Sequence, residues 1–140
     1  MGYLDYLQHG TKMFSKKGRL PVYLVQFITD ACNAKCKHCL LADGAHPGWE
    51  EPSMAYRKQE LSLEELEKIT TSFGKGHLMF LLPTGGEPFL RKDIGEIVKI
   101  WHKNTGVRNV GIPSNGSTTA RTVSIVKDLC ESCPDLDLHI

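Results

Sequence analysis

Apolar positions recur along the chain with two periods. Leu4, Leu7 and Phe14 can share one face of a short amphipathic helix over residues 2–15. Lys16-Lys17-Gly18-Arg19 breaks that pattern, and Pro21 opens the run Val22–Ile28, nearly all apolar. Such a run predicts a strand buried on both faces. Residues 40–60 carry Gly44, Pro47, Gly48 and Pro52 without a clean period and predict a long loop. A helix is predicted over 61–73: Ser62 and Glu65 have capping-box spacing, Leu61 and Leu66 can form a hydrophobic staple, and Gly74 or Gly76 ends it. His77–Pro83 predicts a second strand. Ile94, Ile97, Val98 and Trp101, at i, i+3, i+4 and i+7, predict a helix over 92–104 closed by Gly106. Val107–Ile112 reads as a third strand and 119–131 as a helix with Val123, Val126 and Cys130 on one face. Leu136, Leu138 and Ile140 alternate with Asp137 and His139 as the start of a fourth strand.

The order is therefore a helix followed by β-α-β-α-β-α-β. Helical crossovers between strands predict a parallel sheet in an α/β fold. Residues 1–19 form a helical extension and 20–140 the core domain in this reading, with no internal repeat. Three unusual turns, at 29–39, 84–88 and 113–116, directly follow strands. Strand C-terminal ends share one rim in a parallel sheet, so these turns are expected to converge where ligands collect.

Composition narrows the function. Lys plus Arg is 17 against 16 Asp plus Glu, a net charge of +1. That balance makes a nucleic-acid or acidic-membrane partner an unsupported reading. No apolar run approaches the roughly 18 residues of a membrane span, and the N-terminus shows no secretory signal, so a cytoplasmic protein is expected. Five cysteines are an odd set, and Cys32, Cys36 and Cys39 fall within eight residues. A secreted disulfide scaffold would spread an even number along the chain.

Cys32-Asn33-Ala34-Lys35-Cys36-Lys37-His38-Cys39 is a C-x3-C-x2-C loop. Thiolates are soft ligands for zinc, copper(I) or iron–sulfur clusters. A cubane takes one cysteine per iron, so three would leave one iron open to a small molecule. Zinc held by these three with His46 or Cys130, a redox-active Cys36/Cys39 pair, and plain core cysteines remain as alternatives. In Thr84-Gly85-Gly86-Glu87-Pro88, paired glycines permit close backbone approach, and Glu87 makes the turn rich in acceptors suited to an amine. Pro113-Ser114-Asn115-Gly116 is a polar turn that can equally cap the next helix. Cys130 and Cys133 are too few for an auxiliary cluster and read as core or incidental residues.

The cysteine loop, with His38 before its last Cys, resembles the signature loop of the radical S-adenosylmethionine enzymes. Gly85-Gly86-Glu87-Pro88 resembles that family's GGEP motif, and Ser114-Asn115-Gly116 its SNG turn. The resemblance covers about residues 20–140. It implies a partial (β/α)6 barrel of TIM-like type, with the first four strands present and the chain a fragment unable to turn over substrate alone. It implies that Cys32, Cys36 and Cys39 hold a [4Fe-4S] cluster whose fourth iron is chelated by S-adenosylmethionine. It places His38 beside the adenine, Gly85, Gly86 and Glu87 on the methionyl amine, and Ser114 and Asn115 facing cofactor or substrate. The implied electron donor is a flavodoxin or ferredoxin. The run Glu60–Leu66 with Gly86–Arg91 is similar to a subgroup that includes peptide-modifying and molybdenum-cofactor enzymes, which leaves the substrate as a small molecule or peptide.

Overall fold

The computed structural model describes residues 21–37, 39 and 60–140; the helix expected over 2–15 and the loop up to 59 lie outside them. The strands are β1 (Tyr23–Thr29), β2 (Phe80–Gly85), β3 (Asn109–Gly111) and β4 (Asp137–His139). Between them run α1 (Leu63–Phe73), α2 (Ile94–Thr105) and α3 (Thr119–Ser132), with one turn of 3-10 helix at Pro88–Leu90. The strands form a single parallel sheet in the order β1-β2-β3-β4. This is an α/β fold with the alternation of a partial TIM-like barrel.

The strongest periodic signal is also the centre of the core. Ile94, Ile97, Val98 and Trp101 of α2 are all 1% exposed or less, and they pack in one cluster with Leu66, Leu81, Phe89, Val110 and Leu129. Trp101 meets Phe73 edge-on, with ring centroids 5.1 Å apart, and donates its indole N–H to Gln26 Oε1 at 2.7 Å. That bond satisfies the one polar side chain that β1 turns toward this helix. Gly106 adopts the left-handed conformation that ends α2, its N–H bonded to the His102 carbonyl.

Two expectations are corrected. The strand expected to be buried on both faces is covered on one: Tyr23, Val25 and Phe27 are 53%, 43% and 64% exposed. Residues alternate across a strand, and the three described helices cover the Ile28 face, leaving Tyr23, Val25 and Phe27 uncovered among the described residues, while Thr29, past the register shift, is buried. The buried face of α3 is rotated by one residue: Leu129 is fully buried with Ile125 packed beside it, whereas Val123 and Cys130 are exposed. Thr122, Ile125, Val126, Leu129 and Cys133 follow the same helical period, and burial goes to the Leu129 stripe. Leu61, just before the cap, is 38% exposed, and Leu66 is fully buried.

No helix among the described residues is long and apolar enough to cross a membrane.

The capping box of α1 forms as expected. Ser62 Oγ accepts the Glu65 N–H at 3.2 Å, and Glu65 Oε2 accepts the Ser62 N–H at 2.8 Å. The Ser62 backbone N–H, aided by its hydroxyl, holds the Glu65 carboxyl below its ordinary range. A carboxyl lowered in the folded state contributes stability at neutral pH, and that contribution is lost as pH falls through its folded-state value. Ser62→Ala is therefore expected to lower the urea midpoint at pH 7, and the difference from the parent chain should shrink in acid.

Candidate cofactor site

The parallel sheet puts the C-terminal ends of β1, β2 and β3 on one rim. From β1 departs the cysteine loop, from β2 the glycine turn and from β3 the Ser114–Ser117 turn. The β1–β2 ladder loses register between Phe27 and Thr29, an irregularity of the kind common beside functional sites.

The glycine turn seats directly on the root of the cysteine loop. The Gly86 N–H donates to the Thr29 carbonyl and the Glu87 N–H to the Ala31 carbonyl, both at 2.8 Å. A Cβ at Gly85, where φ is +134°, would stand 2.0 Å from the Thr29 oxygen; one at Gly86 would stand 2.2 Å from the Ala31 oxygen. The close approach that the paired glycines permit is thus, first, an approach of the chain to itself.

A buried arginine fixes the same root from the other side. Arg91 Nη1 donates to the Ile28 carbonyl at 2.7 Å, Nη2 donates to the Leu61 carbonyl, and Nε donates to Asp93 Oδ1 at 2.8 Å. Its side chain is 6% exposed. Glu60 lies beside it and accepts the Thr29 hydroxyl, whose oxygen in turn accepts the Ala31 N–H. None of this is visible in a local motif, because Arg91 and its carbonyl partners are 63 and 30 residues apart. The only signal was an Arg just past the glycine turn.

Glu87 is 1% exposed and its carboxylate meets three donors of the chain. Oε1 accepts the Phe89 N–H at 3.2 Å and the Ser114 hydroxyl at 2.9 Å; Oε2 accepts the Asn115 N–H at 2.7 Å. Those bonds satisfy a charge that would be costly to bury alone. They also join the second turn to the third. Asn115 then reaches the first: its Nδ2 donates to Asn33 Oδ1 at 3.0 Å and lies 4.0 Å from Cys32 Sγ. Asn33 and Ser117 complete the contact at 2.7 Å. Both were missed by sequence reasoning, as a polar residue between cysteines looks like solvent-facing filler.

Cys32, Cys36 and Cys39 are free thiols, Cys36 exposed and the other two half-buried. The Ala34 N–H donates to Cys32 Sγ at 3.4 Å, and the Cys39 N–H closes a turn onto the Cys36 carbonyl at 3.1 Å. Among the described residues no three His, Cys, Asp or Glu side chains gather around one point that could hold a single ion. A compact zinc site needs such a gathering. A cubane binds each thiolate at a different iron, so the three accessible soft donors on one rim loop fit it without converging. Cys130 and Cys133 end α3, at the side of the sheet where β4 begins, away from this rim. Cys133 is buried, which pushes its thiol pKa up and makes it an inert core residue; Cys130 is exposed. His38 and His46 lie outside the described residues.

The family model for the radical SAM superfamily matches residues 27–139. Curated relatives are named GTP 3',8-cyclase. The protein from Actinobacillus pleuropneumoniae serotype 5b (strain L20) is 30% identical over 132 residues, covering 91% of this chain and 37% of the relative. Those from Cronobacter sakazakii (strain ATCC BAA-894) and Edwardsiella ictaluri (strain 93-146) are 33% and 34% identical over 73% and 76% of this chain. The chain spans 29–37% of the length of these relatives. No solved structure is a significant match.

Two substitutions test the interlock. Gly86→Ala forces Cβ into the Ala31 backbone, which cannot yield as a flexible side chain would, and should cost about 1–3 kcal/mol while displacing the cysteine loop. Arg91→Met leaves the Ile28 and Leu61 carbonyls without their donor and the partly exposed Asp93 without its partner, and should cost about 2–3 kcal/mol. Both are read from urea unfolding of the purified chain.

Proposed function

The chain belongs to the radical SAM superfamily, and from that membership we propose that its rim holds a [4Fe-4S] cluster and S-adenosylmethionine for radical chemistry on a small molecule or peptide. The observation that carries the proposal is the seating of Gly86 and Glu87 on the Thr29 and Ala31 carbonyls, which brings the glycine turn against the root of the cysteine loop. Two motifs 46 or more residues apart are thereby one site.

In this reading Cys32, Cys36 and Cys39 would hold the cluster, with S-adenosylmethionine beside it. Bound there, the cluster and S-adenosylmethionine would supply one-electron, radical-generating chemistry. The chain's own contribution is orientation. Gly85, Gly86 and Glu87 face the methionyl amine. The Glu87 carboxylate, already bonded to three donors, sets the negative character of that corner and fixes the turn's carbonyls. Ser114 and Asn115 border the same space from β3, and His38 flanks the adenine. The electron donor is a flavodoxin- or ferredoxin-type protein. The relatives' name makes GTP the first substrate to test, within the wider class of small molecules and peptides.

Anaerobic reconstitution with iron and sulfide should give a brown protein whose reduced-state EPR spectrum changes when S-adenosylmethionine is added. Cys→Ala at 32, 36 or 39 should each abolish bound iron, whereas Cys130→Ala should keep it. A colourless protein holding one zinc, or equal iron loss from Cys130→Ala, would sink the assignment. Glu87→Ala strips the Phe89 and Asn115 N–H groups and the Ser114 hydroxyl of their acceptor, so it should lower the urea midpoint as well as weaken S-adenosylmethionine binding about tenfold, by calorimetry on the loaded chain.

A further inference from the structure

The amide of Asn115 is held in one orientation by its surroundings. Its backbone N–H is anchored on Glu87 Oε2 at 2.7 Å, and its Oδ1 accepts the Ser117 N–H at 2.9 Å. Exchanging oxygen and nitrogen would set the NH2 group against the Ser117 N–H, donor facing donor, so the network itself assigns Nδ2. That Nδ2 points back across the rim. It lies between two groups of the cysteine loop, Asn33 Oδ1 at 3.0 Å and Cys32 Sγ at 4.0 Å, the long limit for a sulfur acceptor. Cys32 Sγ already accepts the Ala34 N–H at 3.4 Å. The anchor beneath is rigid, because Glu87 is fully buried and held by three donors.

We propose that Asn115 is a positioning residue of the cluster, clamping the Cys32–Asn33 segment from β3 and donating its amide N–H to the Cys32 sulfur, thereby raising the cluster's reduction potential. This rests on the cluster assignment above. The physical basis is charge: reduction adds an electron shared by iron and thiolate sulfur, and an N–H dipole aimed at that sulfur stabilises the more negative state. The buried Glu87 carboxylate makes the orientation costly to lose, since freeing Asn115 also strips Oε2 of its donor.

Asn115 is exposed, so its side chain can be changed without opening the core. Asn115→Asp is isosteric and keeps an oxygen for the Ser117 N–H, but replaces the donor to sulfur with a negative acceptor. Asn115→Ala removes the donor together with the bond to Asn33 and the acceptor of the Ser117 N–H, without adding charge. Ser117→Ala loosens the Asn33 contact while leaving the Asn115 amide in place. The readout is the cluster's midpoint potential by EPR-monitored titration, with iron and sulfide measured per chain.

The expected result is full iron in all three variants, a potential more negative in Asn115→Ala and more negative still in Asn115→Asp, and no shift in Ser117→Ala. An unchanged potential in both Asn115 variants overturns the proposal. So does an equal shift in Ser117→Ala, which would trace the effect to a loosened turn. Loss of iron from both Asn115 variants also overturns it, because a donor to one sulfur is not a ligand. If the unaltered chain takes up no cluster, the cluster assignment has failed, and that outcome is seen before any variant is compared.

Discussion

Everything at the rim depends on one contact: backbone lying on backbone where Gly86 and Glu87 bond the carbonyls of Thr29 and Ala31. No side chain fits between them, as an added Cβ at Gly85 or Gly86 would fall within 2.2 Å of a carbonyl oxygen. Glycine here is a steric requirement of the fold before it is a requirement of any ligand. Because the two peptide bonds meet directly, the cysteine loop inherits the rigidity of the β1–β2 ladder at its root.

Around that contact the buried polar groups are arranged as braces. Arg91 ties the last turn of β1 to residue 61 and to the start of α2, and Glu60 passes the tie to Thr29. Glu87 ties the glycine turn to the β3 turn, and Asn115 returns from there to Cys32. Arg91 and Glu87 are nearly or fully buried and each is satisfied by several partners, the condition under which burial of charge specifies a geometry instead of undoing it. The result is three loops from three strands held as one surface, with the thiols at its accessible edge. Side chains that are to grip a ligand need such support, since groups held loosely would lose more conformational entropy at each binding event.

The apolar face of β1 is the other consequence of the topology. Helices follow each of the first three strands and all lie on the same side of the sheet, so Tyr23, Val25 and Phe27 face away from them. In a barrel that side is the interior, which accounts for a strand that is nearly all apolar yet covered on one side by the described residues.

Element type and order were determined by the sequence alone. The α2 stripe at positions 94, 97, 98 and 101, the capping box at Ser62 and Glu65, and the placement of three odd turns after three strands all follow from local periodicity and local hydrogen bonding. These are interactions within a few residues, and a pattern of a few residues encodes them. The family likewise lay in contiguous motifs. Tertiary structure alone decided which stripe of α3 is buried, which face of β1 is covered, and what the polar rim residues bind. Val123 and Leu129 are equally eligible by period; only the position of α3 against the sheet chooses. Glu87 looked like an open acceptor because its three donors are supplied by residues 89, 114 and 115, two of them from another strand's turn. Asn33 carried no local signal, and Arg91 only its place just past the glycine turn. Asp93 apart, their partners are 30 to 84 residues away, and the energy of satisfying a buried polar group is known only once the fold has brought those partners within hydrogen-bonding distance.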